Sequence, residues 1–350
     1  MSQSMILILL AWTAFLSPAG PDEFVFETAP FTSSHASTIV ELANDDLMVA
    51  WFGGSAEGKP DVAIWGAIRV GGRWSAPAEL VREPGIATYN PVLFHTKDGK
   101  LWLYYKFGPH PTAWTGGRMW SSDEGRTWSK PEHLPAGLYG PVRTKPLVLD
   151  DGTIVSGTSV ESYRSWACWI ERSTDSGHTW AKAGPIVVDP RMAGDGKPKY
   201  KSPWDDWDQT DGIIQPSIVP LGGKRLRLYA RSTSKIGRIC IADSPDLGVT
   251  WTKAQPLDLP NPNSGIDAVR LADSRVVLVY NHTLTGRSPL NLAISTDGAS
   301  FRMFKTLVDK AGEYSYPAMI AGRDGALHIT YTWNRKQIRY VRIPRAEIPR

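Results

Sequence analysis

The sequence predicts an all-β protein, a six-bladed β-propeller with four-stranded antiparallel blades. Three observations predict it. A turn pattern, S-x-D-x-G-x-T-W, occurs three times in full, and a strand–turn–strand pattern occurs six times. The 350 residues also include 15 Trp, 32 Gly and 27 Pro with few helix-friendly runs, a composition suited to short strands and tight turns.

The turn pattern reads Ser121-Ser122-Asp123-Glu124-Gly125-Arg126-Thr127-Trp128, then Ser173 to Trp180, then Ser244 to Trp251. Ser295 to Phe301 is a worn copy, and Gly71-Gly72-Arg73-Trp74 keeps only the tail. Each position has a turn-making reason. Asp accepts hydrogen bonds from amides of its own turn, Gly supplies positive φ, and the aromatic packs beneath the hairpin. The pattern therefore predicts a structural device.

The strand–turn–strand copies start at His35, Asn90, Lys145, Gln215, Asp267 and Tyr316, at steps of 55, 55, 70, 52 and 49 residues. Each begins on a polar residue, runs apolar, turns at Gly or Asp and returns. Six units of this length match four-stranded blades stacked around a channel. A β-sandwich is the structural alternative, but it does not explain the period. The long third step contains a polar, charged and aromatic insertion, residues 189–212, read as a functional lid, with a disordered tract as the alternative. Within it, Trp204 and Trp207 are candidates to stack on a sugar, and Asp205 to Asp211 to hold a cation weakly.

A domain of this length buries roughly three quarters of its unfolded surface and needs no disulfide or metal to be stable. Cys168 and Cys240 fall at similar places in neighbouring repeats, which leaves either a disulfide or two buried thiols. The net charge of +4 is mild and its Lys and Arg are scattered, which argues against nucleic acid as a partner. Met5 to Leu16 is a short apolar run followed by small residues, with no Lys or Arg before it. It reads as a signal peptide over residues 1–19 with an atypical n-region, and an interfacial anchor is the alternative. Residues 20–350 then form the propeller of a secreted or periplasmic protein with no membrane span after signal removal.

Propeller geometry sorts the polar residues. Entries to the inner strands and the turns between second and third strands share one end of the ring. That end collects His35, Asn90, Lys145, Gln215, Asp267 and Tyr316, together with Glu57, Asp61, Lys106, His110, Glu161, Arg164, Arg231, His282, Arg287, Asn334 and Arg335. Convergent polar groups in a concavity are the default binding-site expectation. No metal motif or cofactor signature accompanies them.

The repeated turn resembles the Asp-box of the sialidase superfamily, and the resemblance covers nearly the whole chain after the N-terminal run. It implies that Tyr316 is the nucleophile, Asp61 the acid/base, and Arg231 and Arg287 two arginines of a carboxylate clamp. It also exposes two departures. His35 replaces the first arginine of the clamp, and Gln215 stands where the family has the glutamate that assists the tyrosine. Gln cannot take a proton from a phenol, so His35, Asp61, Glu161 or Glu313 must supply the base. Lys145, Gln215, Asn90 and Asp267 are further candidate binding residues. The resemblance implies an exo-glycosidase acting on a terminal acidic sugar of a glycan. A uronate-directed lyase using His35 and Tyr316, and a non-catalytic glycan-binding propeller, are the alternatives.

Overall fold

The computed structural model describes residues 22–162, 165–189 and 212–350. The N-terminal run, Arg164 and nearly all of the insertion, including Trp204, Trp207 and Asp205 to Asp211, lie outside the described residues.

Six antiparallel sheets follow one another along the chain. Their inner strands are Ser33–Glu41, Thr88–His95, Leu147–Val148, Ile213–Gly222, Asp267–Arg270 and Tyr314–Ala321. Four of these begin ahead of the polar residue taken from the sequence as their start. Blades 2 to 5 have four strands each, in chain order. Blade 1 differs, because its outer edge is split into Arg73–Trp74 and Ala78–Val81, both paired with Ala63–Val70. Blade 6 takes its outer strand from the other end of the chain: Asp22–Phe24 pairs with Gln337–Ile343, Asp22 opposite Val341. Arg69 and Trp74 of blade 1 both donate to Glu23 in that strand, at 2.8 and 3.0 Å.

Period-two alternation sends successive side chains to opposite faces of each blade. In blade 4, Leu226, Leu228 and Ala230 pack toward blade 3, whereas Tyr229 packs toward blade 5. The result, among the described residues, is six buried apolar clusters, one at each interface between neighbouring blades. Cys168 and Cys240 are both free and buried in the cluster between blades 3 and 4.

The three full turn motifs have one geometry. In the first, Asp123 accepts from Thr127 N at 2.8 Å and Thr127 Oγ1 at 2.6 Å, and Ser121 Oγ accepts from Gly125 N at 2.8 Å. The bonds recur at Asp175 and Asp246. The motif glycines face the preceding blade. A Cβ at Gly125 would meet Met48 Sδ at 2.8 Å, and one at Gly248 would meet Val155 Cγ1 at 2.8 Å. Arg118 of blade 2 donates to Gly177 O at 2.7 Å, and Tyr229 of blade 4 to Gly298 O at 2.5 Å. The turn is thus a staple between blades.

Candidate active site

Four inner strands carry the same irregularity. Their pairing slips between His35 and Thr38, Tyr89 and Val92, Ile214 and Ser217, and Ser315 and Ala318. At the slip stands a residue with left-handed backbone: Ala36 (φ 54°), Asn90 (40°), Gln215 (56°) and Tyr316 (51°). Such bulges cost backbone energy but re-aim a side chain toward the axis. Pro follows three of them, at positions 91, 216 and 317, so the slip leaves no amide hydrogen without an acceptor there. The expected ring is corrected at two places: Ala36 holds the blade 1 bulge position, with His35 one residue earlier, and Lys145 lies two residues before the inner strand of blade 3.

Tyr316 is the centre of the site. Arg231 Nη1 donates to its oxygen at 2.6 Å and Gln215 Nε2 at 3.3 Å. The guanidinium carbons of Arg143, Arg231 and Arg287 lie 5.3, 5.6 and 5.4 Å from its ring centre. The His35 ring is 4.2 Å away, centre to centre.

His35 is buried, with Nδ1 2.9 Å from Thr332 Oγ1 and Nε2 without a hydrogen-bond partner. Burial, then the charges of Arg335, Arg287, Arg143 and Arg231, hold its pKa well below the usual value, so the imidazole is neutral. A neutral ring with a vacant nitrogen beside a phenol is equipped to accept a proton.

Three of the arginines differ in their commitments. Arg143 is fully buried and donates to the carbonyls of Ser37 and Pro317, so it ties blades 1 and 6 together beneath the tyrosine. Arg231 is fixed by Asn263 Oδ1 at 2.9 Å and Gln215 Oε1 at 3.2 Å, both neutral partners. Arg287 pairs with Glu313 at 2.9 Å, which also receives Arg335 at 2.7 Å. Arg335 reaches Glu57 on blade 1 as well. Cationic charge therefore exceeds carboxylate charge around the phenol, which suits an anionic ligand.

The other expected residues fall outside this cluster or have protein partners. Asp267 is buried and accepts from Ser217 Oγ, Ala268 N and Met319 N at 2.8, 2.9 and 2.9 Å. Lys145 pairs with it at 3.5 Å. Together they join the inner strands of blades 3 to 6. Asn90 is buried at its bulge. Asp61 stands on an exposed loop of blade 1, where Ser55 donates to it through N and Oγ, each at 2.8 Å. Those bonds hold its carboxyl below the usual range. Lys106 is turned inward and donates to Pro141 O at 2.8 Å. Among the described residues no group of three or more His, Cys, Asp or Glu is arranged to hold a metal, and no helix is long and apolar enough to cross a membrane.

Arg143, Asn263 and Thr332, the partner of His35, are site residues that sequence reasoning missed. Arg143 had a signal, a lone arginine two residues ahead of Lys145 in an otherwise apolar approach to the third inner strand. Asn263 had none, because only the fold brings it to Arg231.

The repeats, the stapling turns and the ring of bulges together define a six-bladed β-propeller built of repeated, turn-stapled blades. The model of the BNR repeat-like domain matches residues 45–329, and the chain belongs to that family. No curated protein sequence matches it. Among solved structures it is similar to a protein of unknown function from Dyadobacter fermentans, at 17% identity and TM-score 0.73, covering 92% of this chain and 97% of that one. The NanB sialidase of Streptococcus pneumoniae matches at 13% identity and TM-score 0.73, covering 95% and 72%. The intramolecular trans-sialidase of Ruminococcus gnavus matches at 12% identity and TM-score 0.68, covering 91% and 97%. At these identities the likeness shows the fold.

Proposed function

We propose that the protein is a sialidase-like exo-glycosidase that removes a terminal acidic sugar, sialic acid or a similar carboxylate-bearing residue, from glycans outside the cytoplasm. One observation carries the reading. The Tyr316 oxygen, the vacant side of a neutral His35 and the guanidinium of Arg231, which has no carboxylate partner among the described residues, meet in one place. The apolar run at Met5 to Leu16 supports the extracellular or periplasmic setting.

In this reading Arg231 and Arg287 grip the sugar carboxylate, for which the planar guanidinium fork is suited. Tyr316 attacks the anomeric carbon while its proton passes to His35 Nε2, directly or through one water, and the glycosidic C–O bond breaks as its oxygen takes a proton from a carboxyl group of the site. Water then bonds to the anomeric carbon and gives one proton back to that carboxyl, the bond to Tyr316 breaks, and His35 reprotonates the phenol. His35 thereby takes the part that Gln215 cannot. Gln215 and Arg231 orient the phenol oxygen by donating to it, and Arg143 holds the strands beneath the ring.

A uronate-directed lyase is the second reading, and Gln215 favours it. An amide in place of a carboxylate keeps the region around the phenol cationic, so an α-proton beside a bound carboxylate can leave to a tyrosine–histidine pair. Incubation with sialylated and uronate-capped glycans separates the readings. Free sialic acid supports the first, and an unsaturated product absorbing in the ultraviolet supports the second. Tight binding without any product overturns both in favour of a binding propeller.

A further inference from the structure

We propose that Glu161 is the general acid of this site, the group that protonates the departing glycan oxygen. The proposal rests on the exo-glycosidase reading above and changes which residue of it carries the proton. Glu161 is the last residue of the second strand of blade 3, Ile154–Glu161, and lies opposite Trp166 in register. The Trp166 ring is 5.7 Å from the Arg231 guanidinium, which contacts Tyr316 in turn. Only 8% of Glu161 is exposed, and its Oε1 is buried without a hydrogen-bond partner among the described residues.

A carboxylate oxygen buried without a donor is costly, so the neutral acid is favoured. Burial pushes the Glu161 carboxyl up to about 7, opposed by Arg231 and reinforced by Glu57. Three charged or titratable groups act on or feel this carboxyl: Arg231 from blade 4, Glu57 from the blade 1 loop, and the buried Cys168 thiol, itself pushed up by burial. Asp61 has the opposite setting, because it is exposed, carries two hydrogen bonds from Ser55 and is held in the ionised form. A general acid must hold its proton at working pH. Of the two carboxyls, Glu161 does.

The step balances as follows. The Tyr316 oxygen bonds to the anomeric carbon as the glycosidic C–O bond breaks; the Tyr316 proton goes to His35 and the Glu161 proton to the leaving oxygen. In the second half, water bonds to the anomeric carbon and gives one proton to Glu161. The bond to Tyr316 breaks, and His35 reprotonates the phenol.

The test compares Glu161→Gln and Asp61→Asn on α2,3-sialyllactose and on 4-methylumbelliferyl sialoside, whose leaving group needs little protonation. Glu161→Gln is expected to lower kcat/KM on sialyllactose by about 10²- to 10⁴-fold and far less on the aryl sialoside. The alkaline limb of the wild-type pH profile, set by a carboxyl near 7, is expected to vanish in Glu161→Gln and persist in Asp61→Asn. Glu161→Asp, measured beside it with the melting temperature of each variant, is expected to keep a displaced alkaline limb at a lower rate. Equal losses on both substrates with the limb intact, or loss of the limb in Asp61→Asn, overturns the assignment while leaving the glycosidase reading in place. Wild-type protein that turns over neither sialoside overturns both.

Discussion

The two ends of the propeller are built on opposite rules. At the end carrying the stapling turns, one solution recurs: Asp123, Asp175 and Asp246 accept the same pair of bonds from the threonine four residues on. At the other end, the four equivalent bulge positions hold Ala36, Asn90, Gln215 and Tyr316, and no two are alike. Repetition fits a task that every blade shares, which is to grip its neighbour. Diversity fits a task that the ring performs once, where each blade supplies a different group to one ligand.

Removing single groups should break the two ends differently. The largest effect is expected for Tyr316→Phe. Turnover should fall below detection while affinity for an acidic sugar, read by calorimetry, persists, because the ring remains and only the oxygen is lost. Retained turnover would remove the nucleophile from the mechanism.

His35→Ala comes next, with an expected loss of about 10²- to 10⁴-fold in kcat, the scale of a general base. Its pH dependence has a definite sign. The pKa of His35 is lowered by burial and by four arginines, so the rate should hold as pH falls to the ordinary histidine range near 6.5 and drop only below it. Because the folded pKa lies under the unfolded one, the contribution of His35 to stability is complete above about 6.5 and declines as pH falls toward the folded value. An acid limb at or above 6.5 would refute the neutral-base assignment.

Arg231→Lys keeps the charge and loses the fork. Affinity for a carboxylate-bearing sugar should weaken by about 1–3 kcal/mol, and the variant and wild type should bind a methyl-esterified sugar alike. Wild-type protein that binds ester and acid equally sinks the carboxylate clamp.

The smallest effect on chemistry is expected at the other end. Asp123→Ala should lower stability by about 1–3 kcal/mol, by leaving turn amides unsatisfied, with kcat and KM unchanged in the folded protein. A stable variant that had lost only its activity would erase the distinction between the two ends.

The same distinction explains what was legible in the sequence. The staples and the blade period were visible because they repeat, and repetition requires no knowledge of what lies across the fold. Tyr316, Arg231, Arg287 and Gln215 were visible through their place in a repeat and the resemblance to sialidases. The blade 1 register was missed by one residue, because a bulge of Ala36 before Ser37 lacks the proline that marks Asn90, Gln215 and Tyr316. Arg143 was missed because its partners, Ser37 and Pro317, lie across the channel in blades 1 and 6. The split edge of blade 1 depends on pairing that no local pattern encodes.

The outer strand of the last blade, Asp22–Phe24, precedes every other strand among the described residues, and its partner Gln337–Ile343 follows them all. During synthesis the clasp therefore emerges before the strands of the other five blades and its keeper after them, so the ring cannot shut until blade 6 is made. Tyr316 and Thr332, which orients His35, come from that same late blade. Tyr316 and His35 straddle the seam of the ring, and their meeting coincides with the ring's completion. A chain cut short before Leu327 has five complete blades and an open edge, and it holds His35 without the Thr332 hydroxyl that meets its Nδ1.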